Sequence, residues 1–158
     1  MKLHLSLLLF LFTFCLACKK DSTRAGSIDN ALTGIWSIPA LNTSVATGKE
    51  SIEFFPNGDI SLSRYYVNPS TQQILGYSYK YIGKYRVTGN GVVQLYDMKI
   101  LSNTSSDPFV AIDRLTINSI SLEQQYTYQL TNLNTTLSWT IVCPPNADCI
   151  GTQQYTKQ

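Results

Sequence analysis

Tyr77-Ser78-Tyr79-Lys80-Tyr81-Ile82-Gly83-Lys84-Tyr85-Arg86-Val87 is the stretch that decides the fold. In an extended chain Tyr77, Tyr79, Tyr81, Tyr85 and Val87 share one face, and Ser78, Lys80, Lys84 and Arg86 share the other. Successive side chains of a strand point to opposite faces, so this is a half-buried strand, aromatic inside and charged outside. Gly83 interrupts the alternation where a bulge, or a bend of the kind a barrel needs, would sit.

Working outward, the same period-2 texture recurs between turn signals. Ile52, Phe54 and Phe55 precede Pro56-Asn57-Gly58-Asp59, and Ile60 to Val67 follows, which predicts a hairpin over 50–67. Asn68-Pro69-Ser70 turns the chain again, and Gly89-Asn90-Gly91 suits a tight turn with positive φ. Strands are expected over Val92–Leu101, Val110–Ile117 and Leu122–Leu130, with Ser102–Pro108 as a polar loop. Asn132-Leu133-Asn134-Thr135 turns into a strand that places Leu137, Trp139, Ile141 and Cys143 on one face, and Cys149–Lys157 is the last. With an opening strand at Gly34–Ile38 this makes eight or nine strands, short connections and no helical periodicity. The expected fold is all-β, a single antiparallel up-and-down barrel of about eight strands over residues 30–158, because closure removes exposed sheet edges.

The start of the chain reads differently. Lys2 is followed by the apolar run Leu3–Leu16 and then Ala17-Cys18-Lys19-Lys20-Asp21. A spanning helix needs roughly twenty apolar residues, and this run has the length of a signal-peptide core. It resembles the signal peptide of a bacterial lipoprotein of the Bacteroidota type. The resemblance implies cleavage after residue 17, a lipid on Cys18, a polar tether over 18–29, and a protein anchored to the outer membrane on its periplasmic or surface face. The usual Leu three residues before the lipidated cysteine is replaced by Cys15.

Cleavage would remove Lys2 and His4, leaving a net charge of +1 against the +2 of the whole chain. No basic stripe remains that would attract nucleic acid. With its one histidine gone, the mature chain lacks the residue that Ser-His-Asp, Cys-His and His-ligated metal sites require. No pair of carboxylates is marked out for glycosidase chemistry; Glu53 and Asp97 are the two that could approach across a barrel. No cofactor or metal motif occurs, so a non-catalytic protein without cofactor is expected.

Leu32-Thr33-Gly34-Ile35-Trp36 opens the barrel region, and hairpin follows hairpin behind it. This resembles a lipocalin-like domain of the calycin type, whose first strand carries Gly-x-Trp, here Gly34 and Trp36. The resemblance implies a short helical turn over Ser27–Leu32, capped by Ser27 or Asp29. It also implies a Trp lying across the closed barrel end beneath a basic side chain from the last strand. Lys157 takes that place where Arg is usual, and it lacks the planar guanidinium that stacks on an indole.

Two features bear on what the domain does. Cys143 and Cys149 bracket Pro144-Pro145-Asn146-Ala147-Asp148, which in an oxidising envelope compartment predicts a disulfide clamping the last turn. Ten tyrosines and two tryptophans give flat apolar faces with polar tips. Tyr77, Tyr79, Tyr81, Tyr126, Tyr128 and Trp139 are expected to point into the barrel. There they either fill it or line a site for a small apolar or glycan-like ligand. The alternative to a ligand carrier is a solid barrel whose outer surface docks or inhibits a protein partner in the envelope.

Overall fold

The computed structural model describes residues 26–40, 42–43, 45–89, 91–149 and 151–158. Cys18, the signal segment 1–17 and the tether up to residue 25 lie outside the described residues. Eight antiparallel strands close in sequence order into one barrel. They are β1 Gly34–Pro39, β2 Thr47–Phe54, β3 Asp59–Val67, β4 Ile74–Gly89, β5 Val92–Ser102, β6 Thr116–Thr131, β7 Thr136–Ile141 and β8 Gln153–Lys157. β1 and β8 complete the ring through Trp36↔Lys157 and Ser37↔Thr156.

The opening stretch sits in β4, and its register shows how the barrel bends. The β4–β5 ladder shifts between Ile82 and Lys84, where Gly83 faces two residues of β5, Asp97 and Met98. A Cβ there would collide with the Met98 sulfur, so the close approach requires glycine. Opposite, β5 carries its own irregularity, with Asp97 at φ 53°. Bulges of this kind increase local twist and let a long strand curl around a small core.

One sequence reading fails in the middle of the chain. The strand expected over Val110–Ile117 is absent over most of its length: residues 103–115 form a loop with a short 3₁₀ turn at Ile112–Arg114 and one isolated bridge from Val110 to Tyr77, while Thr116 and Ile117 belong to β6, which runs to Thr131. The polar run Asn118-Ser119 imitates a break. Asn118 still pairs opposite Ile100 and Ile117 opposite Leu101, and the register then shifts before Leu122 meets Met98, so the chain continues as one strand through an irregularity.

The two ends of the barrel differ. At one, the chain entering β1 forms a plug. Asp29 caps a turn by accepting from the Ala31 amide at 2.9 Å, and the Leu32 amide donates back to the Asp29 carbonyl at 3.0 Å. Leu32 and Trp36 are completely buried, and the Trp36 indole N–H donates to the Leu32 carbonyl at 2.7 Å. Lys157 Nζ lies 5.0 Å from the Trp36 ring centroid and donates to the Ala31 carbonyl at 3.3 Å. Gly34 has φ 123°, and a Cβ there would sit 3.2 Å from Lys157 Cε, so glycine serves both the backbone and the crossing lysine. Phe54 meets Tyr85 and Trp139 edge-on at 5.0 and 5.6 Å, and Ile52, Ile60, Val93, Leu95 and Leu137 fill the space between. Each large apolar side chain buried this fully contributes about 1.5–3 kcal/mol.

At the other end, among the described residues, no segment plugs the barrel. The described parts of the connections β1–β2, β3–β4, β5–β6 and β7–β8 surround the opening. The last of them carries the Cys143–Cys149 disulfide, whose Cα atoms are 6.2 Å apart.

Candidate functional site

Between the packed half and the open rim lies a cavity of about 280 Å³. Its apolar wall comes from Leu62, Leu95, Met98, Ile100 and Ile141, and its aromatic wall from Tyr79, Tyr81, Tyr126, Trp139 and Tyr155. Tyr126 stacks on Trp139 with centroids 4.5 Å apart and planes 15° from parallel, while Tyr79 and Tyr81 meet edge-on at 5.1 Å. These residues converge because each is the inward member of its strand's alternation. Leu62 pairs with Tyr81, Arg64 with Tyr79, and Tyr126 with Ile141.

Of the six rings that the sequence points inward, Tyr79, Tyr81, Tyr126 and Trp139 line this cavity, and Tyr77 and Tyr128 do not. The β3–β4 ladder steps from Arg64↔Tyr79 to Tyr65↔Tyr77, leaving Ser78 as an extra residue. The step turns Tyr77 to the face opposite Arg64, where its ring lies 5.8 Å from that of Tyr65. Tyr128 is inward but one layer deeper. It packs against the buried core and donates to Asp29 Oδ2 at 2.6 Å, so it belongs to the plugged end.

The cavity also holds a charged group that the sequence reading passed over. Glu50 is only 7% exposed. It occupies an inward position of β2, in phase with Ile52 and Phe54, and that phase is the signal that could have identified it. Its Oε2 accepts from Arg64 Nη2 at 2.7 Å, Arg64 Nε at 3.2 Å and the Tyr79 hydroxyl at 2.8 Å. Its Oε1 accepts from the Tyr155 hydroxyl at 2.7 Å. Burial pushes the Glu50 carboxyl up, but the bonds from Tyr155, Tyr79 and Arg64, with the Arg64 charge, outweigh it and hold the group below the ordinary carboxylate range. Burial first, and then the bond to Glu50, raise the Tyr79 and Tyr155 phenols, so both remain donors. Burial, helped by Tyr81 and Glu50, pushes Tyr126 up to about 12. Tyr155 also lies 3.1 Å from the Gln153 side-chain oxygen. A hydroxyl has one proton, which goes to the carboxylate, so Gln153 meets it best with its amide turned to donate.

Glu53 and Asp97 do not form a carboxylate pair. Glu53 stands on the outer face of β2, out of phase with Ile52 and Phe54. Asp97 sits in the β5 irregularity and borders an outer groove with Asp59, Lys84 and Lys99. Among the described residues no three His, Cys, Asp or Glu side chains gather as metal ligands would.

The cavity has a second side to the outside. β1 and β8 pair at only two positions, and Pro39, which lacks an N–H, ends β1. Beyond that point a rim depression between Ile38 and Gln153 shares Glu50, Arg64 and Gln153 with the lumen. The Glu50–Arg64 pair therefore stands at the boundary between interior and seam. No protein-family model, curated protein or solved structure matches this chain.

Proposed function

We propose that this chain is a non-catalytic binding protein that holds a small ligand in the open half of its barrel. The observation that carries the reading is the cavity itself, about 280 Å³ walled by aromatic rings and by a buried carboxylate, Glu50, paired with the partly exposed Arg64. Ligand sites are typically concave, mostly apolar, and supplied with a few placed polar groups. A solid-core interaction module would need no such space. Kinship with the lipocalin-like barrels is supported by Gly34-x-Trp36 on the first strand and by Lys157 over the indole at 5.0 Å. Placement at a membrane rests on the Leu16-Ala17-Cys18 motif, with lipid on Cys18 and residues 19–29 as the tether.

Two measurements test these readings. Native mass spectrometry against panels of lipids, sugars and pigments should give a stoichiometric complex. Ile100→Trp, which pushes an indole into the cavity from β5, should abolish it while the fold is retained. An unaltered complex in Ile100→Trp would place the ligand elsewhere. Mass analysis of the N-terminal peptide should find Cys18 first in the chain and acylated. An unmodified Met1 terminus would remove the anchor.

A further inference from the structure

We propose that the ligand is a neutral, ring-sized polyol, with hydroxyls of a monosaccharide meeting Glu50 and Arg64. This rests on the cavity being the binding site and names the chemistry that fits it. Glu50 is the point to explain. Burying the Glu50 carboxylate costs desolvation that an apolar side chain of the same volume would avoid, so its presence is weak evidence for stability. Ionised, Glu50 offers about four acceptor sites. Three of its four bonds converge on Oε2, and Oε1 accepts from Tyr155 alone. Arg64 engages Glu50 through Nε and Nη2, and among the described residues Nη1 has no partner. Glu50 Oε1 thus keeps acceptor capacity and Arg64 keeps a donor at Nη1. Hydroxyls of one polyol suit both, one donating to the carboxylate and another accepting from the guanidinium.

Charge and size narrow the class further. Among the described residues Glu50 and Arg64 are the sole charged members of the lining, and they neutralise each other. An anion would face the carboxylate, and a cation the guanidinium, without a free counter-charge for either. A dry cavity of about 150 Å³ accepts a benzene ring, so about 280 Å³ suits roughly ten to twelve heavy atoms, the size of one sugar ring. Tyr81 and the side of Tyr126 away from Trp139 supply ring surface against which the C–H side of a pyranose packs.

The test is calorimetric titration of the full chain in lipid nanodiscs, with empty nanodiscs as the blank. The probes are the methyl glycosides of glucose, galactose and mannose, then glucuronic acid, glucosamine and naphthalene. At least one neutral glycoside should bind, with the acid and the amine weaker, and Glu50→Gln should weaken it about tenfold or more, as for a lost bond to a charged group. If Glu50→Gln does not fold by near-ultraviolet circular dichroism, Arg64→Lys, which keeps the charge but loses the fork, should show the same weakening. Naphthalene binding alike to wild type and variant, with no sugar bound, would overturn the polyol and leave the cavity as an apolar site. Preference for glucuronic acid or glucosamine would overturn neutrality. Binding of no probe at all would overturn both the polyol and the cavity reading.

Discussion

The two halves of this barrel are made from the same strands and obey the same alternation, yet one is a core and the other a site. In the plugged half the inward residues are Trp36, Phe54, Tyr85 and Leu137, and Leu32 is folded in beneath them. In the open half the inward residues include Glu50, Arg64, Gln124 and Gln153, and among the described residues no loop enters to fill the space. The difference lies in what meets the rings. Below, aromatic edges meet other rings and methyls. Above, hydroxyls meet a carboxylate and a guanidinium. Stability should therefore concentrate in the plugged half and ligand selectivity in the open half.

Trp36→Ala is the most severe way to test that division. It removes a completely buried indole, its bond to the Leu32 carbonyl and the surface on which Lys157 rests. The expected loss is about 3–5 kcal/mol in urea unfolding, the range for a large aromatic deleted from a core. Ile100→Ala, at the cavity wall, should cost clearly less, because its neighbours already border empty space. Equal costs would mean that the halves are energetically alike.

Glu50→Ala comes next, at about 2–3 kcal/mol, since it strands the Tyr155 and Tyr79 hydroxyls and an arginine that is only partly exposed. The pH dependence has a definite sign. The folded-state carboxyl lies below its ordinary value of 4.5, so its contribution is complete above about pH 4.5 and is lost as pH falls through the folded value. Wild type should lose stability on descending below that point, and Glu50→Gln should show a flatter acid limb in the same titration. Parallel acid limbs would show that Glu50 adds nothing the open half needs.

What was legible in the sequence divides along the same line. Pro56-Asn57-Gly58-Asp59 and Asn132-Leu133-Asn134-Thr135 are turns because residues suited to such backbone stand there, and Asn132, Leu133 and Asn134 do adopt positive φ. The barrel follows from hairpins of that kind. The open half was harder to read because bulges reset the phase. The extra residue Ser78 changes the face of Tyr77, and no composition rule marks that step. Glu50 stayed hidden because a carboxylate in a strand reads as an outward residue unless its partners, fourteen, twenty-nine and one hundred and five positions away, are known.

Opening the disulfide tests the rim of the open half without touching the lumen polar network. A cross-link closing so short a loop contributes about 2 kcal/mol by chain entropy. Cys143→Ser with Cys149→Ser should lower urea stability by about that amount. Ligand affinity should stay within a few-fold, because neither cysteine lines the main cavity; Cys149 borders a neighbouring depression that shares Tyr126, Trp139, Ile141 and Gln153 with it but not the ion pair. A large affinity loss at modest stability cost would make the 142–152 loop part of the site.

The smallest effect probes the plug from above. Lys157→Met keeps the aliphatic stem over Trp36 and removes the ammonium, which deletes the attraction to the ring face and the bond to the Ala31 carbonyl. Cation–π contacts at partly exposed sites contribute about 0.5–1 kcal/mol, so a loss in that range is expected in urea unfolding. Lys157→Arg offers a sharper comparison. A guanidinium can lie flat on the indole while still donating to Ala31, so it should recover the whole contribution or exceed it by a few tenths of a kcal/mol. The stem, however, passes 3.2 Å from the position a Gly34 Cβ would take, so the crossing is already tight. If arginine is worse than methionine, that crossing is shaped for lysine. The plugged end would then be as closely fitted around its one cation as the open end is around its ion pair.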